Sequence, residues 1–150
     1  MHVLTHRFEA NCAPSALWKY LSDLTAVADY NPLIKAARVR GAQARGVGAE
    51  RECDLAPGGK VVERVISWDE GRAVGIDLIE SDWPVRSMRW VTRIDPSGAG
   101  SVLTQRLEYD TKFGPMGWLL NALVLRRNME NNVGQALRGL VSLASSEKAP

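Results

Sequence analysis

Few side chains in this sequence have the types and spacing that metal or nucleophilic chemistry needs. The only imidazoles are His2 and His6, and the only thiols are Cys12 and Cys53. A zinc site of the Cys/His kind would need all four to converge from three separate segments, without a CxxC pair. No metal site and no cofactor are therefore expected. The thiols are predicted to be buried as small hydrophobic side chains in a reducing compartment, with a Cys12–Cys53 disulfide as the alternative.

Proton transfer or stabilisation of a negative oxygen is instead within the chemistry of Arg64, Tyr109 and His6, which are the catalytic candidates. Arg64 could hold a ligand carbonyl or carboxylate, or stabilise an enolate as its charge develops. The alternative is an arginine at the mouth of a cavity, with its stem on apolar neighbours and its head in water. Tyr109 could relay a proton or simply bond a backbone group. His6 is the one imidazole placed to act as a general base, unless it is a structural residue.

The chain that must position these groups has the size and charge of one folded domain. It has 150 residues, 45% of them hydrophobic, and 19 basic against 17 acidic side chains, a formal charge of +2. No run of basic residues is longer than the pair Arg126 and Arg127, so nucleic acid is not a favoured partner. The start shows no charged region followed by an apolar one, which favours a cytoplasmic protein.

Hydrophobic periodicity predicts a strand and two short helices at the start of the chain and one long helix at its end. Residues Met1–Ala10 alternate with the period of a half-buried strand. Two short helices follow, Pro14–Leu21 and Leu24–Tyr30. After residue 112 the helical period returns, which predicts one long helix, Pro115–Ser146, and a tail at residues 147–150.

Between these helices the period is two, which predicts strands. Turn residues divide this part of the chain into six of them: Ile34–Arg40, Ala49–Leu55, Lys60–Trp68, Ala73–Glu80, Val85–Ile94 and Ser101–Thr111. The loops between them are too short for parallel crossovers. The sequence therefore predicts an α+β domain with an antiparallel sheet.

Several short motifs resemble one superfamily in both order and spacing. Residues 11–23 (NCAPSALWKYLSD) are similar to the opening n-A-P-x-x-x-W-x-x-L-x-D of the START/birch-pollen-allergen superfamily, in its polyketide cyclase/dehydrase and lipid-transport branch. Residues 30–32 (YNP) match its W-x-P position, with Tyr30 where Trp is usual. Residues 62–69 (VERVISWD) resemble its x-E-r-V-t-e-w-d strand, and residues 113–117 (FGPMG) resemble the start of its last helix.

The resemblance covers nearly the whole chain and implies one helix-grip domain over residues 1–150. In that fold a seven-stranded antiparallel sheet wraps around the long C-terminal helix, with two short helices after the first strand. The resemblance also implies a ligand cavity between the sheet and the long helix. Members range from ligand carriers to cyclases, so it does not decide between binding and catalysis.

Strand alternation predicts which side chains face that cavity. On Lys60–Trp68 the set containing Arg64 is bulkier than the set containing Glu63, and the similar strand of aromatic polyketide cyclases points the former set inward. A register shifted by one would bring Glu63 inside and leave Arg64 on the surface. On Val85–Ile94 the predicted inner set begins at Arg86. The predicted ligand-binding residues are Arg64, Ile66, Trp68, Met88, Trp90, Leu103, Gln105, Leu107 and Tyr109.

The run Met116–Leu125 is apolar on every side of a helix, so it should be buried or touch a partner. Burial under the two short helices is one interpretation. A cavity portal, a homodimer contact and a membrane-docking face backed by Arg126 and Arg127 are the others. The run is too short to span a bilayer and contains Asn121, so no stable membrane insertion is expected.

Two functions are compatible with these features. The first is the binding or transport of a small hydrophobic, oxygen-bearing molecule, such as a lipid, isoprenoid or polyketide-like compound. The second is a polyketide cyclase or dehydratase, with Arg64 polarising a carbonyl and Tyr109 or His6 relaying a proton. Against the second, Val62 and Gln105 stand where the aromatic cyclases usually carry bulkier aromatic residues. The sequence does not identify the ligand.

Overall fold

The computed structural model describes residues 2–82, 85–112, 114–120 and 124–146. Its elements in chain order are β1 (His2–Ala10), α1 (Pro14–Leu21), a 3-10 turn (Leu24–Ala26), α2 (Val27–Tyr30), β2 (Ile34–Arg40), β3 (Glu50–Leu55), β4 (Lys60–Asp69), β5 (Ala73–Ser81), β6 (Val85–Ser97), β7 (Gly100–Thr111), α3 (Gly114–Leu120) and α4 (Arg126–Ser146).

The strands form one sheet in the order β1-β7-β6-β5-β4-β3-β2, and every neighbouring pair is antiparallel. Consecutive strands from β2 to β7 are neighbours because each is joined to the next by a short turn. Strand β1, the first in the chain, pairs with β7 at the opposite edge from β2. The predicted seven-stranded antiparallel sheet is therefore confirmed.

Helix α4 packs on one face of this sheet, which we call the inner face. Its buried side chains recur at helical spacing and join the same core cluster as buried strand residues. The helix contributes Met129, Val133, Leu137 and Leu140, and the strands contribute Leu4, Ile94, Leu103 and Leu107. This arrangement confirms the helix-grip fold that the resemblance implied.

The short helices pack closely against α4. Pro14 begins α1, where its missing N–H costs no hydrogen bond. Asp23 caps the 3-10 turn by accepting a hydrogen bond from the Thr25 backbone N–H at 3.1 Å. Gly139 of α4 lies so close to the Tyr30 carbonyl oxygen that a Cβ at this position would collide with it. A glycine is therefore required for α4 to approach α2 this closely.

In the C-terminal region predicted as one helix over Pro115–Ser146, the described residues are helical in two stretches. The structure has two helices there, α3 and α4, with a π-helical turn at residues 124–125 directly before α4. Residues 121–123 lie outside the described part of the chain, as does the predicted tail. Within the described residues, none of the helices is long and apolar enough to cross a membrane.

Both cysteines are buried and carry free thiols. Cys12 belongs to the core cluster under α4, and Cys53 belongs to a second cluster built around β2 and β3. The prediction of buried, unpaired thiols is thus confirmed, and the disulfide alternative is wrong.

Candidate ligand-binding site

A cavity of about 240 Å³ lies between the inner face of the sheet, the short helices and α4. Most of its wall is apolar. The sheet contributes Val74, Ile76 and Trp90, while α4 contributes Val133, Ala136 and Leu137. A pocket with an apolar wall and a small number of polar groups is typical of small-molecule binding sites.

Five polar side chains of this wall form two groups. The first, which we call the ion-pair end, consists of Tyr30, Arg51 and Glu63. The second, which we call the amide end, consists of Thr92 and Gln105. Asn31, Asn128 and Asn132 also border the cavity.

The ion-pair end is built by directly opposite residues of β3 and β4. Arg51 pairs with Glu63 across these strands, which places both side chains on the inner face. The Arg51 Nε–H donates to Glu63 Oε2 at 2.6 Å, and Nη1 donates to the Leu24 carbonyl oxygen at 3.0 Å. Only 5% of Arg51 and 6% of Glu63 is exposed. The two charges are therefore buried together and satisfy each other.

Electrostatics at this end favour a charged guanidinium and a neutral phenol. Burial opposes the charge of Arg51 more than any one neighbour favours it, but Glu63, Tyr30 and Cys53 together outweigh burial, so the pKa of Arg51 is raised. Burial also raises the pKa of Tyr30, although neighbouring Arg51 partly offsets the rise. For the nearby thiol of Cys53, burial and then Glu63 raise the pKa to about 12. Tyr30 and Cys53 are thus uncharged near neutral pH.

The amide end is built by opposite residues of β6 and β7. Thr92 pairs with Gln105, and the Thr92 hydroxyl donates to Gln105 Oε1 at 2.9 Å. His6 is opposite Gln105 on β1, but its half-buried ring does not border the cavity. Its Nδ1 atom is buried and has no hydrogen-bond partner within the described part of the protein.

The predicted placement of Arg64 in the cavity is wrong. Arg64 is exposed on the outer face, where its Nη2 lies 2.8 Å from Glu50 Oε2 in an ion pair. Glu63 occupies the inner position instead, which was the alternative that a shifted register would produce. The Arg64 guanidinium therefore has its ion-pair partner on the surface, and Arg64 does not border the cavity.

A β-bulge explains why the alternation of β4 misled the prediction. Val65 pairs with Ile76, but Ser67 pairs with Gly75, so Ile66 is an extra residue on β4. An extra residue reverses which side chains face inward. Glu63 and Val65 therefore face inward before the bulge, and Trp68 does so after it.

Neither Trp68 nor Ile66 borders the cavity. Trp68 is opposite Val74 and packs edge-on against Trp18, with ring centroids 5.2 Å apart. Ile66 is half-buried at the bulge. A similar bulge excludes Arg86, which is the extra residue between Val85 and Ser87 and is exposed, while Val85 lines the cavity.

Apart from Arg86, the predicted inner residues of β6 and β7 are on the inner face, at two different depths. Met88, Trp90 and Gln105 border the cavity. Three others are fully buried in the core without bordering it: Leu103, Leu107 and Tyr109. The Tyr109 ring packs against His2 with centroids 5.0 Å apart. Contact between any of these residues and a ligand stays a prediction.

Sequence reasoning overlooked Arg51, although a signal for it was present. In β3 the acidic residues Glu50, Glu52 and Asp54 alternate with Arg51, Cys53 and Leu55. Because Cys53 and Leu55 are apolar, this alternation assigns Arg51 to the buried side.

The run Met116–Leu125 is not buried under the short helices where it is described. Met116 is 78% exposed and Trp118 is 64% exposed. Leu125 borders the cavity instead. Nothing in the structure shows what covers the exposed side chains, so the homodimer contact stays a prediction. Among the residues described, no group of three or more His, Cys, Asp or Glu side chains is placed to hold a metal ion.

Comparison with known proteins gives a family match over almost the entire chain. The model of a family described as polyketide cyclase/dehydrase and lipid transport matches residues 1–145. This family description supports hydrophobic ligand binding in general. No curated protein matches the sequence.

Solved structures with low sequence identity share the fold. XoxI from Bacillus cereus is 13% identical with a TM-score of 0.79, covering 100% of both chains. A protein from Thermus thermophilus, TTHA0849, is 16% identical with a TM-score of 0.83, covering 99% of this chain and 100% of its own. Ara h 8.0201 is 12% identical with a TM-score of 0.78, covering 97% of this chain and 98% of its own.

Proposed function

Because the chain belongs to the polyketide cyclase/dehydrase and lipid transport family, we propose that its cavity binds a small, largely apolar molecule that carries at least one oxygen. The observation that carries this proposal is the cavity of about 240 Å³ with an apolar wall and two separate polar ends. Apolar burial would supply most of the affinity, and the polar ends would orient the ligand. The volume lies slightly below the range for small-molecule pockets, roughly 300–1,000 Å³, which favours a compact ligand.

The polyketide cyclase alternative depends on a proton-transfer group beside the ligand. Arg64 lies on the outer face, Tyr109 is fully buried away from the cavity wall, and His6 does not border it. No observation among the described residues favours turnover over binding. We therefore propose binding or transport, with no catalytic residue assigned.

Displacement of Nile red, a neutral and apolar dye, tests this proposal. The dye should fluoresce in the cavity of the purified protein, and apolar alcohols or esters should displace it with saturation. Native mass spectrometry of the same preparation should reveal any small molecule that copurifies. A protein that neither enhances dye fluorescence nor retains a small molecule would contradict the proposal.

Two neighbouring substitutions on α4 assign the signal to the cavity. Ala136 borders the cavity, whereas Gln135 is exposed on the other side of the helix. Ala136→Leu should fill part of the cavity and weaken dye binding by about tenfold or more, because the dye loses volume that it needs. Gln135→Leu adds a similar apolar group outside and should leave binding unchanged. Equal binding by both variants would place the dye elsewhere.

A further inference from the structure

The charges that face the cavity cancel each other. Among the described residues that border it, Arg51 and Glu63 are the charged ones. They form one ion pair at 2.6 Å, with both side chains less than a tenth exposed. The other lining side chains with polar groups carry amides, a hydroxyl, the indole N–H of Trp90 and the phenol of Tyr30. The net charge offered to a ligand is therefore zero.

We propose that the cavity selects ligands with an uncharged polar group, such as an alcohol or ester, and rejects carboxylates and ammonium ions of the same size. This inference rests on the proposed binding function and specifies its ligand class. A fatty acid anion would thus be a poor ligand, although an apolar pocket with a buried arginine suits one at first sight.

Competition for Arg51 is the physical reason. A ligand carboxylate could pair with Arg51 only against Glu63, and one of the two anions would be left without a full countercharge at a buried site. An ammonium ligand would meet the same difficulty at Glu63. A neutral oxygen creates no such conflict, because Glu63 and the Leu24 carbonyl use two of the five N–H groups of a guanidinium. Tyr30 also hydrogen-bonds to Arg51, and the N–H groups that these three partners leave can donate to a ligand oxygen while the ion pair stays intact.

Ligands that share a ten-carbon chain test the selectivity. Displacement of Nile red from the full chain is measured near neutral pH with decanol, methyl decanoate, decanoate and decylammonium. The two neutral compounds should bind at least about tenfold more tightly than either ion, as expected when an ion must be buried without its own countercharge. Binding of decanoate as tight as that of decanol would overturn the inference but leave the binding function standing. Failure of all four ligands and of the dye would instead contradict the proposed function.

Removal of the negative partner should shift the preference towards the anionic ligand. Glu63→Gln leaves Arg51 charged and unpaired, so the affinity ratio of decanoate to decanol should rise by about tenfold or more relative to the wild-type protein. The matched control is Glu50→Gln, because Glu50 pairs with Arg64 on the outer face. Its ratio should remain that of the wild-type protein. A folded Glu63→Gln variant with an unchanged ratio would overturn the inference.

A double variant keeps the test decisive if Glu63→Gln does not fold. Arg51→Met combined with Glu63→Leu removes both charges and leaves no unpaired ion. Its cavity should still reject decanoate, and decanol should bind more weakly because its hydrogen-bond donor is gone. A preference of this double variant for decanoate would overturn the inference, because a cavity without net charge would then have favoured the anion.

Discussion

The two polar ends of the cavity are built by strands of different regularity. At the amide end, β6 and β7 pair without a register shift from Ser87 to Ser97, and a neutral hydrogen bond of 2.9 Å joins Thr92 to Gln105. At the ion-pair end, β3 and β4 pair without a register shift and Arg51 is bonded to Glu63 at 2.6 Å, but β4 pairs with β5 through two register shifts.

The two ends should also differ in the free-energy cost of removing one partner. Loss of one partner in a neutral hydrogen bond costs roughly that bond, whereas loss of one partner in a buried ion pair leaves a charge without compensation. The ion-pair end should therefore control stability and ligand charge selectivity. The amide end should make only a small contribution to both.

The largest expected effect is that of Arg51→Met. Glu63 would remain buried without its partner, which should reduce the free energy of unfolding by about 3–5 kcal/mol. Urea unfolding measures the loss. Arg51→Met with Glu63→Leu should restore most of it, because no buried charge remains. If the double variant loses at least as much as the two single variants together, the ion pair is not the reason for the loss.

High pH should weaken the ion-pair end through Cys53. The pKa of this thiol rises from an ordinary value of 9.0 to about 12 in the folded protein. Its neutral form therefore stabilises the folded state fully below pH 9.0, and this contribution is lost as the pH rises towards 12. Within that window, ionisation of Cys53 should reduce the free energy of unfolding by up to about 1.4 kcal/mol per pH unit.

Urea unfolding across that pH window checks the Cys53 prediction. Cys53→Ala should flatten the decline of the unfolding free energy with pH, whereas Cys12→Ala should keep the Cys53 contribution. Parallel declines in the wild-type protein and Cys53→Ala would refute the assignment.

At the amide end, Thr92→Val should cost only about 1 kcal/mol of unfolding free energy, because it removes one neutral hydrogen bond while keeping the shape of the side chain. Thr104→Val is the matched control, since Thr104 precedes Gln105 on β7 and points to the outer face. It should change stability by less than about 0.5 kcal/mol. A loss of about 3 kcal/mol or more for Thr92→Val would erase the contrast between the two ends.

The smallest expected effect is that of Arg64→Met, a substitution identical in type to Arg51→Met. Arg64 is paired with Glu50 at an exposed site, where an ion pair contributes about 0–1 kcal/mol. Stability should change within that range, and Nile red affinity should stay the same. A tenfold loss of dye affinity would return Arg64 to the binding site.

The same regularity determined how much could be predicted from the sequence. On β6 and β7 simple alternation correctly assigned Met88, Trp90 and Gln105 to the inner face, because the two strands pair without a register shift from Ser87 onward. On β4 the bulge at Ile66 reverses the alternation of side chains. The same rule therefore assigned Trp68 to the inner face correctly and Arg64 wrongly. Nothing in the types of residues 62–68 marks that bulge, since it depends on pairing with β5. The element order was predictable because turns and motifs are local, whereas the site depends on pairing between strands.

The central claim is that a neutral, apolar ligand occupies the cavity beneath α4, and methionine methyl NMR tests it directly. Met88 and Met129 border the cavity, while Met116 is 78% exposed on α3. Titration of ¹³C-methyl-labelled protein with decanol should shift the Met88 and Met129 signals along one saturable curve and leave the Met116 signal unchanged. Movement of Met116 alone, with Met88 and Met129 fixed, would contradict the account by placing the ligand on the outside of the protein.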